Sequence, residues 1–114
     1  MLDVTIYHNP RCAKSRETLL LLEHHGVIPN IVLYMDAPPK VTELRKLLGK
    51  LGLEAADLLR AKEGREAGLD RDTPAAELLA AMAHNPRLIE RPIVVCGDRA
   101  VLGRPPERVL ALLA

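Results

Sequence analysis

A chain of 114 residues and 12.5 kDa has the length of one domain, and its 48% hydrophobic and 27% charged residues are in ordinary globular proportion. Sixteen Lys and Arg against fifteen Asp and Glu leave a formal charge of +1, which gives no broad basic surface for nucleic acid. Aromatics make up 2%, Tyr7 and Tyr34 with no Phe or Trp, so the core is aliphatic and base-stacking platforms are excluded.

In chain order, Val4 to Tyr7 reads as a short strand stopped by Asn9-Pro10. From Ser15 to His25, leucines recur at helical spacing and Gly26 follows as a C-terminal cap, so a helix is expected, entered through Pro10-Arg11-Cys12-Ala13-Lys14. After Pro29, Ile31 to Tyr34 reads as a second strand and completes a βαβ unit. Asp36-Ala37-Pro38-Pro39 breaks the pattern. Lys40 to about Ala83 is helix-like, with Leu44, Leu47, Leu48 and Leu51 on one face, Leu58-Leu59 and Leu78-Leu79 in further helices, and glycines keeping the pieces short. Pro92 to Cys96 reads as a strand, Gly97-Asp98 as a two-residue turn, Ala100 to Leu102 as its partner, and Pro105-Pro106 opens a last helix through Leu113.

This order predicts an α/β, thioredoxin-like fold over residues 1–114 as a single domain. A helical insertion, about residues 40–84, separates the βαβ half from the β-hairpin-α half. Pro92, just before the third strand, is a candidate cis proline.

No apolar run approaches the roughly 20 residues that cross a bilayer, and Asp3 and His8-Asn9 stand where a signal peptide would be apolar. Cys12 and Cys96 are too few for a disulfide framework and suit a reducing compartment. A cytoplasmic protein without membrane or nucleic-acid partners is expected.

Cys12 stands before the helix, where free backbone N–H groups and the positive end of the dipole favour a thiolate, with Arg11, Lys14 and Arg16 beside it. A free thiol with a pKa near 8.5 is only about 3% ionised at pH 7, so a drop of about two units makes it mostly thiolate. A dithiol site would carry its second cysteine at position 15, where Ser15 stands. Redox turnover then draws its second thiol from Cys96, from a small thiol such as glutathione, or from another protein; an external donor is expected, Cys96 being read as a packed strand or turn residue. His24-His25 reads as helix-end compensation, and no metal site is expected.

The run His8-Asn9-Pro10-Arg11-Cys12-Ala13-Lys14-Ser15-Arg16 resembles the His-Asn-Pro-x-Cys-x-x-Ser-Arg signature of the ArsC family of glutaredoxin-coupled arsenate reductases. Tyr34 with Pro38-Pro39, Leu58-Leu59-Arg60, Glu90-Arg91-Pro92-Ile93-Val94-Val95 and Gly103-Arg104-Pro105-Pro106 are similar to the family's later blocks, in the same order. The resemblance implies Cys12 as nucleophile and Arg60, Arg91 and Arg104 as the arginines that hold the oxyanion. His8, Asn9, Ser15 and Arg16 join them in the substrate site, where His8 helps to ionise Cys12 or orients the loop. Planar, always-charged guanidiniums suit a tetrahedral anion of about −1.5 to −2 charges, the value for phosphate, better than lysine does. The resemblance further implies arsenate as substrate, glutathione as co-substrate, glutaredoxin as partner and no bound cofactor. The chain ends directly after its last helix, where longer arsenate reductases continue. Two alternatives stand beside this reading, a glutathione-dependent thiol oxidoreductase acting on another substrate and a non-enzymatic Spx-like redox regulator, although Ser15 removes the second thiol of such a regulator's Cys-x-x-Cys switch.

Overall fold

The structure, a computed structural model, describes residues 3–113. Contacts divide the chain into two units, one taking Met1–Tyr34 with Arg91–Ala114 and the other Met35–Glu90.

The first unit is built on β1 (Val4–Tyr7), β2 (Asn30–Val32), β3 (Ile93–Cys96) and β4 (Arg99–Leu102), in the spatial order β2-β1-β3-β4. β1 and β2 run parallel and are joined through helix α1 (Ala13–His24), while β3 is antiparallel to both β1 and β4. Alternation along β1 buries Val4 and Ile6, and these meet Leu22 of α1, Val94 of β3, and Val109 and Leu112 in one aliphatic cluster. Full burial of a side chain such as Leu22 contributes roughly 1.5–3 kcal/mol. The expected Gly97-Asp98 turn joins β3 to β4, and Gly97 takes the positive φ of 64° that such a turn asks of its first central residue. Gly103 is required by close approach instead, since a Cβ there would stand 2.6 Å from Thr18 Oγ1 and 2.9 Å from Pro92 Cγ. The bonds Arg91-Pro92 and Arg104-Pro105 are both cis, the first as expected from the strand that follows it.

Three elements of the first unit depart furthest from the sequence reading. Helix α1 begins at Ala13, two residues earlier than its leucine periodicity suggested, because its first turn carries polar residues that a hydrophobic pattern does not register. β2 stops at Val32 and leaves Leu33 and Tyr34 beyond the ladder. The last helix, over Pro106–Leu112, is 3₁₀ rather than α, with Pro106 buried in its first turn.

The second unit holds helices α2 (Val41–Leu51), α3 (Ala55–Leu58), α4 (Ala61–Glu66) and α5 (Ala75–His84), followed by a 3₁₀ turn at Pro86–Leu88. Leu44 and Leu47 of α2, Leu58 of α3, and Leu78, Leu79 and Met82 of α5 are buried, and α2 and α3 pack against α5. Gly52 ends α2 in the left-handed conformation at φ 68°. Leu59 and Arg60 are extended, and the chain here runs beside Leu88 to Glu90. Arg60 N–H donates to Leu88 O at 2.8 Å, Glu90 N–H donates to Leu58 O at 2.8 Å, and Leu59 and Ile89 form an antiparallel bridge.

Candidate active site

Cys12 is the N-cap of α1, with extended backbone at φ −96° and ψ 123°. Its N–H donates to Asn9 O at 3.0 Å and its carbonyl accepts the first helical hydrogen bond, from Arg16 N–H at 3.0 Å. The earlier start of α1 therefore sets the thiol directly over the free N–H groups of the first turn. Burial pushes the thiol up. The Ser15 N–H, the Arg91 guanidinium and the Lys14 N–H all favour the anion, and together they hold Cys12 below its ordinary value. Cys12 is partly exposed, so this sulfur is reachable as well as activated.

The loop around it is fastened by buried polar groups. Ser15 is completely buried; its Oγ accepts from Asn9 N–H at 3.0 Å and lies 2.6 Å from His8 Nδ1. Burial, then the Arg16 charge, lower the pKa of His8, so the ring is a neutral imidazole near pH 7. The arrangement that satisfies every group has Ser15 donating to Nδ1 and the His8 proton on Nε2. Asn9 Oδ1 accepts from Arg11 N–H at 3.0 Å, and exposed Arg16 donates from Nη1 to Pro10 O at 2.9 Å. His8, Asn9, Ser15 and Arg16 thus hold the shape of the loop that carries the sulfur.

Arg91, at the entry to β3, bears directly on the thiol, and its Nε is buried without a hydrogen-bond partner. Arg104 donates from Nη1 to the Arg91 carbonyl at 3.2 Å, which ties the two residues preceding the cis prolines to one another. Arg60 belongs to the helical unit. It is the N-cap of α4, with Nε 3.3 Å from Glu63 Oε1 and Nη1 3.3 Å from Glu90 Oε1. A cation at a helix start is opposed by the helix dipole, and the two carboxylates offset that.

Sequence reading of individual side chains did not pick out Tyr34. The ring is 1% exposed, its hydroxyl is buried without a completed hydrogen bond, and Arg91, Cys12 and Asn9 all act on it. A usable signal existed in the topology. Parallel neighbours end side by side, so residues just past β2 lie next to the loop that leaves β1.

Cys96 pairs with Val4 across the sheet and packs partly buried against the aliphatic cluster. His25, the C-cap of α1, has Nδ1 3.0 Å from Leu21 O. Among the described residues no group of three or more His, Cys, Asp or Glu is placed to hold a metal ion, and no helix is long and apolar enough to cross a membrane.

Comparison with known proteins gives a consistent answer. The ArsC family model matches residues 7–112. An arsenate reductase from Haemophilus influenzae is 47% identical over 98% of this chain and 100% of its own length. The uncharacterized protein YfgD of Escherichia coli is 50% identical over 97% of each chain. Among solved structures, an arsenate reductase from Vibrio cholerae superposes with a TM-score of 0.88 at 46% identity, covering 97% of this chain and 98% of that one.

Proposed function

The chain belongs to the ArsC family, and on that footing we propose that it reduces arsenate to arsenite through a covalent adduct on Cys12, with glutathione and glutaredoxin supplying the electrons. One observation carries the reading: a partly exposed sulfur at the N-terminus of α1, held toward its anionic form, with the guanidinium of Arg91 upon it and no acidic partner for that guanidinium among the described residues.

The Cys12 thiolate attacks As(V), forming an S–As bond as one arsenate oxygen leaves, protonated, as water. Arg91 neutralises charge on the remaining oxygens, and Arg104 and Arg60 are the further cations assigned to them. Glutathione then displaces a second oxygen as water and forms its own S–As bond. A glutaredoxin thiolate attacks the glutathione sulfur, and the pair of electrons in the S–As bond returns to arsenic, giving As(III) on Cys12 and a glutaredoxin–glutathione mixed disulfide. Water replaces the Cys12–As(III) bond, arsenite leaves and the thiol is restored. Two electrons pass from two external thiols, which matches a loop with Ser15 at the position of a second cysteine.

The test is arsenite production from arsenate by the purified chain with glutathione and glutaredoxin. Cys12→Ser is expected to lower it at least about 10³-fold, the scale for loss of a nucleophile. Turnover that persists in Cys12→Ser, or none in the wild-type chain, overturns the reading.

A further inference from the structure

Tyr34 lies two residues beyond the C-terminal end of β2, and it is 1% exposed. Burying a hydroxyl without a partner costs about 1–3 kcal/mol. Two buried side-chain polar atoms among the described residues lack a partner, Tyr34 Oη and Arg91 Nε, and both belong to side chains that face Cys12. Their coincidence at the reactive sulfur is the feature to be explained.

The neighbours of the phenol restrict what it can do. Arg91 is a donor only, and Asn9, whose Oδ1 is already taken by Arg11 N–H, acts on the phenol in the donor sense. Its oxygen therefore faces donors while its own proton has no acceptor. Burial first of all keeps the phenol protonated, so that this proton is present across the physiological range. An acceptor arriving over Cys12 would satisfy Tyr34 Oη–H and Arg91 Nε–H together, and an acceptor with several oxygens around one centre suits both.

We propose that Tyr34 is an oxyanion-binding residue of this site, its hydroxyl donating, beside Arg91 Nε–H, to an oxygen of the tetrahedral anion that approaches Cys12. The inference rests on the oxyanion reading above and adds a neutral donor to the arginines. A neutral donor contributes to affinity without adding charge, so it reads the number and placement of oxygens.

The probe is inorganic arsenate without glutathione, read as protection of Cys12 from iodoacetamide in the wild-type chain and in Tyr34→Phe. Melting curves check that Phe leaves the fold intact. The expected result is arsenate protection weakened about 10- to 100-fold in Tyr34→Phe, the scale of one hydrogen bond to a charged acceptor. The alkylation midpoint of Cys12 without arsenate should stay unchanged. If the wild-type chain is protected and Tyr34→Phe equally so, the Tyr34 proposal alone falls. If the wild-type chain is not protected, the oxyanion reading falls and this one with it. A midpoint that rises while arsenate protection is unchanged assigns the hydroxyl to the thiolate and overturns the proposal. Should Tyr34→Phe fail to fold, 3-fluorotyrosine at position 34, nearly the same size and a stronger donor, is expected to tighten protection; equal or weaker protection overturns the proposal.

Discussion

In the sheet unit, Arg91 faces a thiol and meets no carboxylate among the described residues, whereas in the helical unit Arg60 is shared between Glu63 and Glu90, each 3.3 Å away. The same guanidinium is an open receptor in one place and a compensated one in the other. On the proposed reading Arg91 gains its anion when substrate comes; in the free chain its charge helps to lower the pKa of the Cys12 sulfur. On that reading, Arg60 would have to exchange its carboxylates for substrate. Solvent-exposed ion pairs contribute about 0–1 kcal/mol and these are more sheltered, so the exchange would cost somewhat more than that and leave Arg60 the weaker of the two proposed contacts.

The sharpest test of this contrast is Arg91→Ala, expected to lower kcat/KM for arsenate about 100-fold, the scale for one preorganised donor to developing charge. The rate of Cys12 alkylation against pH should move in parallel. Alkylation follows the thiolate, its midpoint is the thiol pKa, and Arg91 favours the anion, so its removal moves the midpoint to higher pH. Arg91→Lys keeps the charge and loses the planar fork, and should recover more of the midpoint than of the turnover. An unmoved midpoint in Arg91→Ala would erase the distinction.

A smaller effect separates the two arginines from the other side. Arg60→Ala is expected to cost about 10-fold in kcat/KM, and Glu90→Gln, by freeing Arg60, to lower KM for arsenate about two- to threefold, against an unchanged Arg71→Ala control. A rise in KM in Glu90→Gln would mean that Glu90 positions Arg60 rather than competing for it.

The smallest effect concerns the loop. Because folding lowers the pKa of His8 below 6.5, the unfolded chain binds more protons in that window, so stability rises with pH there and is lost as pH falls from about 6.5 through the lowered value. His8→Asn should flatten the acid limb of Tm against pH, by no more than one proton's worth, about 1.4 kcal/mol per pH unit. An unchanged limb would place the acid sensitivity elsewhere.

Local chemistry made much of this legible in advance. The β1 stop at Asn9-Pro10, the Gly97-Asp98 turn and the proline before β3 each declare themselves within a few residues. The placement of Cys12 at a helix start also follows from its neighbours, though the helix begins closer to the sulfur than leucine spacing indicates. What could not be read is what depends on partners far along the chain. Nothing near Arg60 in sequence announces Glu90, and nothing near Tyr34 announces Arg91, because those pairs exist only once strands and loops have been brought together. The 3₁₀ form of the last helix was hidden for a related reason, since an apolar pattern over seven residues does not distinguish three residues per turn from 3.6.

Ser15 sets a constraint on how such a site can change. Its oxygen is the knot between the Asn9 amide and the His8 ring, wholly inside the protein, so position 15 already has an occupation. A cysteine introduced there would inherit that occupation with a larger atom and a feebler hydrogen bond, and its sulfur would have to abandon the knot to reach Cys12. In the proposed cycle, dependence on a borrowed thiol would thereby be woven into the architecture of the loop, and self-sufficiency would require rebuilding it from His8 onward.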